Sequence, residues 1–322
     1  MTALRAFAGR WEAFLLLVLA LTLVAGAGAS QYFLTGSNIS IAIAGAIPIA
    51  IVSLSMTLVI ITGEIDISVG SMIGLCATII AILMEQGAPV ELAVTAGMTV
   101  GALAGLINGL LIVGGGLPSL VVTIGTLALY RGIAQIILKE RGFSSFPEWY
   151  QELGFGTIPG TAIPWSLVVF LVCFAGFALF LHATHWGRAL YAIGNNREAA
   201  RYSGIAVNRM MVGLFVTSGL MSSLAAIILT AYLASARSDT GIGLELPVVT
   251  AVVLGGVSIF GGSGTLGGVF VALLVLAFAQ NALGLAGVTP EEQQIVTGAL
   301  LVTTLMLFSG IGFVRRLGRR SR

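Results

Sequence analysis

Two carboxylates, Glu64 and Asp66, stand two residues apart in the string Thr62-Gly63-Glu64-Ile65-Asp66-Ile67-Ser68, with apolar chain on both sides between Val59 and Met72. An acid at membrane depth is expensive unless it faces a watery cavity or finds partners, which marks the pair as a candidate site. Either acid could carry a proton, or the string could interrupt a span so that its polar groups face a solute path. A structural role competes with both: Asp66 can cap the helix that follows, leaving Glu64 in an aqueous inner vestibule. A corresponding break lies in the second half, where seven glycines and Ser258 punctuate the stretch from Gly255 to Gly268. Pro48 precedes Gly63 by 15 residues and Pro247 precedes Gly262 by the same 15. Internal transporter repeats leave such a spacing, and so does chance.

Membrane spans must position these residues. Of 322 residues, 57% are hydrophobic and 9% are charged, against roughly 25% charged in a soluble domain. The apolar residues fall in blocks of about 17 to 23, the length a helix needs to cross a ~30 Å hydrocarbon core. The expected fold is an all-α polytopic membrane protein, one transmembrane domain over residues 1–322, with about ten transmembrane helices and some of them broken. The spans read 14–29, 39–61, 67–84, 92–113, 119–138, 165–181, 210–232, 247–260, 266–283 and 295–309. Arg5 and Arg10 before the first run, with small residues after it, also describe a cleavable signal. An uncleaved first span is the expectation, because nine further spans follow and need no separate targeting device.

Cationic loops stay in the cytoplasm. With both termini inside, Arg5, Arg10, Arg188, Arg197, Arg201, Arg209 and the tail Arg315, Arg316, Arg319, Arg320 and Arg322 are cytoplasmic, 11 of the 15 basic residues. Nine of the 13 acids then face outward, including Glu85, Glu91, Glu140, Glu148, Glu152, Asp239 and Glu245. That surface suits an exported docking partner, and a merely solvated face would look similar. Trp149, Tyr150 and Trp165 in the outer segment read as headgroup-level anchors rather than partner contacts.

The longest inner loop runs from His182 to Met210. Asn195 or Asn196 can cap a short helix over Arg197–Tyr202, with Gly204 ending it, which makes either a rigid knob or a simple charged connector. Glycines 97, 101, 105 and 109 make one smooth face on the fourth span, suited to close helix packing, with Asn108 beside them as a hydrogen-bonding or path residue. Cys76 and Cys173 sit apart in apolar runs and read as core residues. HExxH, GxSxG and the P-loop GxxxxGK[ST] do not occur, so neither an intramembrane enzyme nor a self-powered ATPase is expected, and nothing points to nucleic acid.

The string ITGEIDISVGS, Ile61 to Ser71, resembles the TGGIDLSVGS element of the ribose-type permeases of bacterial ABC sugar importers. PSLVVTIGTLALYRG (118–132), GRALYAIGNNREAARYSGI (187–205), VVLGGVSIFGGSGTLGG (252–268) and QNALGLAGVTPEEQQIVTGALL (280–301) follow in family order and span most of the chain. SARSDTG (235–241) and GSMIGLCA (70–77) are similar to the autoinducer-2 branch, and a rhamnose-type solute is the other candidate. The resemblance implies a multi-pass permease of the bacterial inner membrane, dimeric with itself or a second permease chain, with a cytoplasmic ABC ATPase and an exported substrate-binding protein as partners. ATP would be used by that ATPase, and no cofactor would be bound by this chain.

Residue by residue, Gly194, Asn195, Glu198, Ala199, Ala200 and Gly204 match the family's ATPase-coupling loop, about 185–209. Glu64 departs from it, since the family more often has glycine there. Thr62, Gly63, Glu64, Asp66, Ser68, Asn108, Thr123 and Thr126 are the expected translocation-path residues, hydroxyl and amide groups suiting a neutral sugar. Glu148, Glu152, Asp239 and Glu245 are the expected docking acids. A proton-coupled secondary transporter using Glu64 or Asp66 is the alternative.

Overall fold

The computed structural model describes residues 11–139 and 141–320, with side chains through Met306. Arg5, Arg10, Glu140 and Arg322 lie outside the described residues. The helices are α1 (Trp11–Ala29), α2 (Gly36–Ile61), α3 (Val69–Glu85), α4 (Val90–Gly115), α5 (Ser119–Leu138), α6 (Glu148–Phe155), α7 (Trp165–Ala183), α8 (His185–Asn195), α9 (Arg197–Tyr202), α10 (Val207–Leu233), α11 (Glu245–Leu254), α12 (Leu266–Leu285) and α13 (Pro290–Arg320). Among the described residues, α1, α2, α4, α5, α7, α10 and α12 are long and apolar enough to cross a membrane, and α3 and α11 are shorter apolar helices. With α13 they correspond one to one to the ten expected spans.

Helix α2 is the hub. It is buried almost throughout its inner half, with Ile51, Leu54, Met56, Ile60 and Ile61 fully enclosed. Its own hydroxyls are spent locally, Ser53 Oγ donating to Ile49 O and Thr57 Oγ1 to Ser53 O, so a polar side chain costs little inside an apolar bundle. Helix α10 lies against α2, α3 and α4, and α12 against α1 and α2.

The glycine face on α4 does what close packing requires. A Cβ on Gly97 would meet the Ile80 side chain, one on Gly101 the Gly219 carbonyl, one on Gly105 the Phe215 carbonyl and one on Gly109 the Val212 backbone. Backbones therefore touch where lipid tails offer no hydrophobic drive for association.

Two spans depart from their expected limits. The 247–260 span stops as helix at Leu254, because Gly256 (φ +90°) and Gly261 (φ +83°) turn the chain and leave Phe260 exposed. The last span starts earlier, at Pro290, where Thr289 and Glu292 form a reciprocal capping box: Thr289 N donates to Glu292 Oε2 (2.9 Å) and Glu292 N to Thr289 Oγ1 (3.4 Å).

Irregular backbone at membrane depth must be covered by protein. The segment from Ser238 to Gly241 packs against the start of α3, where a Cβ on Gly74 would strike Arg131 and Thr240 O. Arg131, midway along α5, supplies the missing donors: Nη1 reaches Ser238 O (2.9 Å) and Thr240 O (3.0 Å), and Nη2 reaches Gly70 O (3.1 Å). Arg131→Met is expected to lower the melting temperature of the detergent-solubilised protein by leaving three carbonyls bare, at about 1–3 kcal/mol for each group left unsatisfied. Arg131→Lys should recover part of the loss, and a melting temperature unchanged in the Met variant would refute this role.

Candidate functional site

Helix α2 ends at Ile61 because the chain turns at Gly63 (φ +82°), and α3 starts only at Val69. Between them Asp66 is fully buried. Its Oδ1 accepts from Ser68 N (3.0 Å) and Ser68 Oγ (2.6 Å), and its Oδ2 from Ser218 Oγ (2.8 Å) on α10. Asn108 Nδ2 donates to Ser68 Oγ at 2.8 Å, and the Tyr130 hydroxyl lies 3.1 Å from Asn108 Oδ1 and 2.8 Å from Ala104 O. The donors run from Tyr130 through Asn108 and Ser68 to one terminal acceptor, a satisfied buried network that ties α3, α4, α5 and α10 to the break. The capping role read for Asp66 is not observed: its carboxylate takes the amide of Ser68, the residue that precedes α3, and Ser68 itself makes no side-chain cap.

The neighbouring hydroxyls serve the same wall. Ile65 N donates to Ser119 Oγ (3.2 Å), Thr123 Oγ1 to Ile65 O (3.4 Å), Thr126 Oγ1 to Thr123 O (3.5 Å) and Thr62 Oγ1 to Val59 O (2.7 Å). Thr62, Asp66, Ser68, Asn108, Thr123 and Thr126 are all buried, so in this structure they are enclosed rather than facing an open path. Their polar atoms are turned onto one another and onto the broken backbone. A cavity of about 660 Å³ between α7, α8 and α10 has Phe177, Phe180 and Leu214 in its walls and none of these residues.

Glu64 has a different setting, at the edge of the break. It forms an ion pair with Arg197, the first residue of α9, Nη1 to Oε1 at 2.8 Å, with the Glu64 side chain 14% exposed. Three segments meet here. Gly262 N donates to Ile61 O (2.8 Å), which joins the first break to the second. Gly194 is pressed between Ile61 O and Gly262 N, where a Cβ has no room. Asn195 Nδ2 donates to Tyr191 O (2.8 Å) and lies 3.5 Å from Gly262 O, and Tyr191 OH donates to Gly264 O (2.8 Å). Gly63 and Gly262, equally spaced from Pro48 and Pro247, both hold positive φ and stand at breaks that touch.

The inner loop is a pair of helices. Thr184 caps α8, accepting from Gly187 N (3.2 Å), and Asn196 caps α9, accepting from Ala199 N (2.9 Å). Gly204 (φ +82°) ends α9, so the expected knob exists and is extended by α8. Its six expected coupling residues divide between two faces. Asn195, Glu198, Ala199 and Gly204 are exposed and Ala200 is buried, while the Gly194 backbone and the Asn195 amide also meet the breaks.

On the opposite side Glu148 and Glu152 are exposed on α6, and Asp239 is exposed but paired with Arg237 (3.1 Å). Glu245 is half-buried, its carboxylate against Gly70. Tyr150 is neither a headgroup anchor nor a partner contact: it is buried against α10, its hydroxyl 2.8 Å from Thr230 Oγ1, and stacks on Phe146. Burial pushes its phenol up to about 12. Trp149 remains exposed. Ser218, Tyr130, Ser119 and Arg197 are site residues that the sequence reading did not single out; Ser218 stands beside Thr217 with Ser222 and Ser223 nearby, and Ser119 and Tyr130 share a helix with Thr123, Thr126 and Arg131, so polarity alone does not mark them.

A family model described as branched-chain amino acid transport system / permease component matches residues 38–305. The autoinducer 2 import system permease proteins LsrD of Escherichia coli (strain K12) and of Shigella flexneri are each 40% identical to the chain over 256 residues, 78% of this chain and 77% of theirs. No solved structure matches.

Proposed function

The chain belongs to the branched-chain amino acid transport system / permease component family, and from that premise we propose that it is the membrane-spanning subunit of an ATP-driven importer for a monosaccharide or sugar-like molecule of the ribose, rhamnose or autoinducer-2 type. The observation that carries the mechanism is the α8–α9 knob, which offers Glu198, Ala199 and Gly204 outward while its other face is bonded to both helix breaks.

In this reading a cytoplasmic ABC ATPase grips the outward face and binds the ATP, and the chain itself holds no cofactor. Closure of the ATPases moves the knob, and a dimer of this chain with itself or a second permease rocks to release solute inward. The membrane is the bacterial inner membrane, with both termini cytoplasmic. An exported binding protein docks on the opposite face, where Glu148, Glu152 and Asp239, three of the four expected docking acids, are exposed; Glu245 turns inward and is withdrawn from that set. The path runs beside the break at Gly63 and Glu64, with the Thr62 hydroxyl turned onto the α2 backbone. Asp66, Ser68, Asn108, Thr123 and Thr126 form the wall that holds the break in its closed position.

Purification of the tagged chain from its own membrane in mild detergent should recover an ATPase subunit, with ATP hydrolysis by the complex. Gly204→Val strains the φ +82° turn without filling occupied space, and should cut the solute moved per ATP by about tenfold. Recovery of the chain alone, with uptake that survives ATP depletion and collapses with the proton gradient, would overturn the importer reading.

A further inference from the structure

Glu64 and Arg197 are 133 residues apart in sequence, yet among the described residues their 2.8 Å ion pair is the one side-chain link between the first helix break and α9. The surrounding contacts give that link its meaning. The knob is tied to the second break by Tyr191 and Asn195, through Gly264 O and Gly262 O, and the second break is tied to the first by Gly262 N on Ile61 O. Helices α8 and α9 together therefore grip both breaks, and among the described residues Glu64–Arg197 is their only charged grip on the first.

The pair is also incompletely satisfied. Arg197 Nε is buried without a hydrogen-bond partner among the described residues. A guanidinium held by one of its arms, with its Nε desolvated and unpaired, is a poor permanent clamp. It is suited to a contact that opens and closes. The pair is partly shielded, Arg197 being 38% and Glu64 14% exposed, so it keeps more of its strength in salt than a fully solvated pair does.

We infer that the Glu64–Arg197 ion pair is the breakable link through which displacement of the α8–α9 knob is passed to the α2–α3 break, so that both are positioning residues for transport. This rests on the importer reading above and specifies how its force reaches the path. The pair acts through the break; neither residue needs to touch the solute.

The test uses the whole complex reconstituted in lipid vesicles, with ATP hydrolysis and solute uptake measured on the same preparation for the wild type, Glu64→Gln, Arg197→Met and the exchanged pair E64R/R197E. Each single variant should move about tenfold less solute per ATP, the scale of an ordinary coupling free energy. The exchanged pair should recover most of that ratio, which loss of packing alone would not allow. Melting temperatures measured in parallel separate misfolding from uncoupling: the expected result is a ratio that falls where the melting temperature does not. Single variants with the wild-type ratio would overturn the inference and leave the importer reading standing. So would singles that fail with no recovery in the exchanged pair. A wild-type complex without ATP-dependent uptake would instead remove the importer reading beneath it.

Discussion

Gly105→Leu is expected to leave almost no folded protein in the membrane, while Gly125→Leu, on the neighbouring helix α5, is expected to accumulate normally. The two glycines differ only in what faces them. At Gly105 even a Cβ would collide with the carbonyl of Phe215, and backbone, unlike a flexible side chain, cannot swing aside. At Gly125 no atom lies within 4 Å. Overpacking usually costs about 1–3 kcal/mol when side chains can shift. Here α4 and α10 must separate as units, which also opens the contacts at Gly101, Gly109 and Gly219 and loosens the attachment of Asn108 to the Asp66 network. Size-exclusion profiles of the solubilised protein, with membrane abundance as the second readout, check this. A monodisperse Gly105→Leu protein at wild-type abundance would show that the row is a lipid-facing stripe instead of a seam.

That seam was readable from sequence because it rests on one period: residues at every fourth position share a helix face, and only small residues allow backbones to meet. The spans were readable for a similar reason, since length and hydropathy are local quantities. The reading failed where two apolar conformations compete. Val257, Ile259 and Phe260 are as apolar as a span, but the chain turns at Gly256, which packs against Trp11, and at Gly261, which packs against Gly63 of the first break. Hydropathy cannot see such a constraint. Helix α8 was missed because a polar loop and an amphipathic helix on a membrane surface have nearly the same composition; what distinguishes them is the Thr184 cap and the packing of Leu190 and Ile193 inward.

The site was half legible. An acid inside an apolar run announces itself by its cost, which singles out Glu64 and Asp66, while Ser68 and Asn108 stand out as hydrogen-bonding groups suited to a sugar. Their partners do not stand out, because Ser218 lies 152 residues from Asp66 and Arg197 lies 133 from Glu64. No spacing rule reaches across such distances. Chemistry predicts that a buried carboxylate must find donors, and only the fold says which. The same limit explains why hydroxyls expected to line a path, Thr123 and Thr126 among them, prove to be spent on the wall behind it.

Asp66→Ala and Asp66→Asn are expected to part company, and the difference decides between a clasp and a proton carrier. Alanine strands Ser68 N, Ser68 Oγ and Ser218 Oγ, three buried donors that lose their acceptor, at about 1–3 kcal/mol each. Ser68 also anchors Asn108, so the loss spreads to α4. A severe fall in folded protein should follow. Asparagine keeps an acceptor oxygen for Ser68, and its amide can donate to Ser218, whose hydroxyl is able to reverse from donor to acceptor. If Asp66 is a clasp, Asp66→Asn protein should fold and import ATP-dependently at a reduced but measurable rate. If Asp66 carried a proton through each cycle, the amide, which cannot titrate, would abolish uptake in a protein that still folds. Folded Asp66→Asn protein with no uptake would therefore return the secondary-transporter mechanism to the front, and folded protein with ATP-driven uptake would remove it.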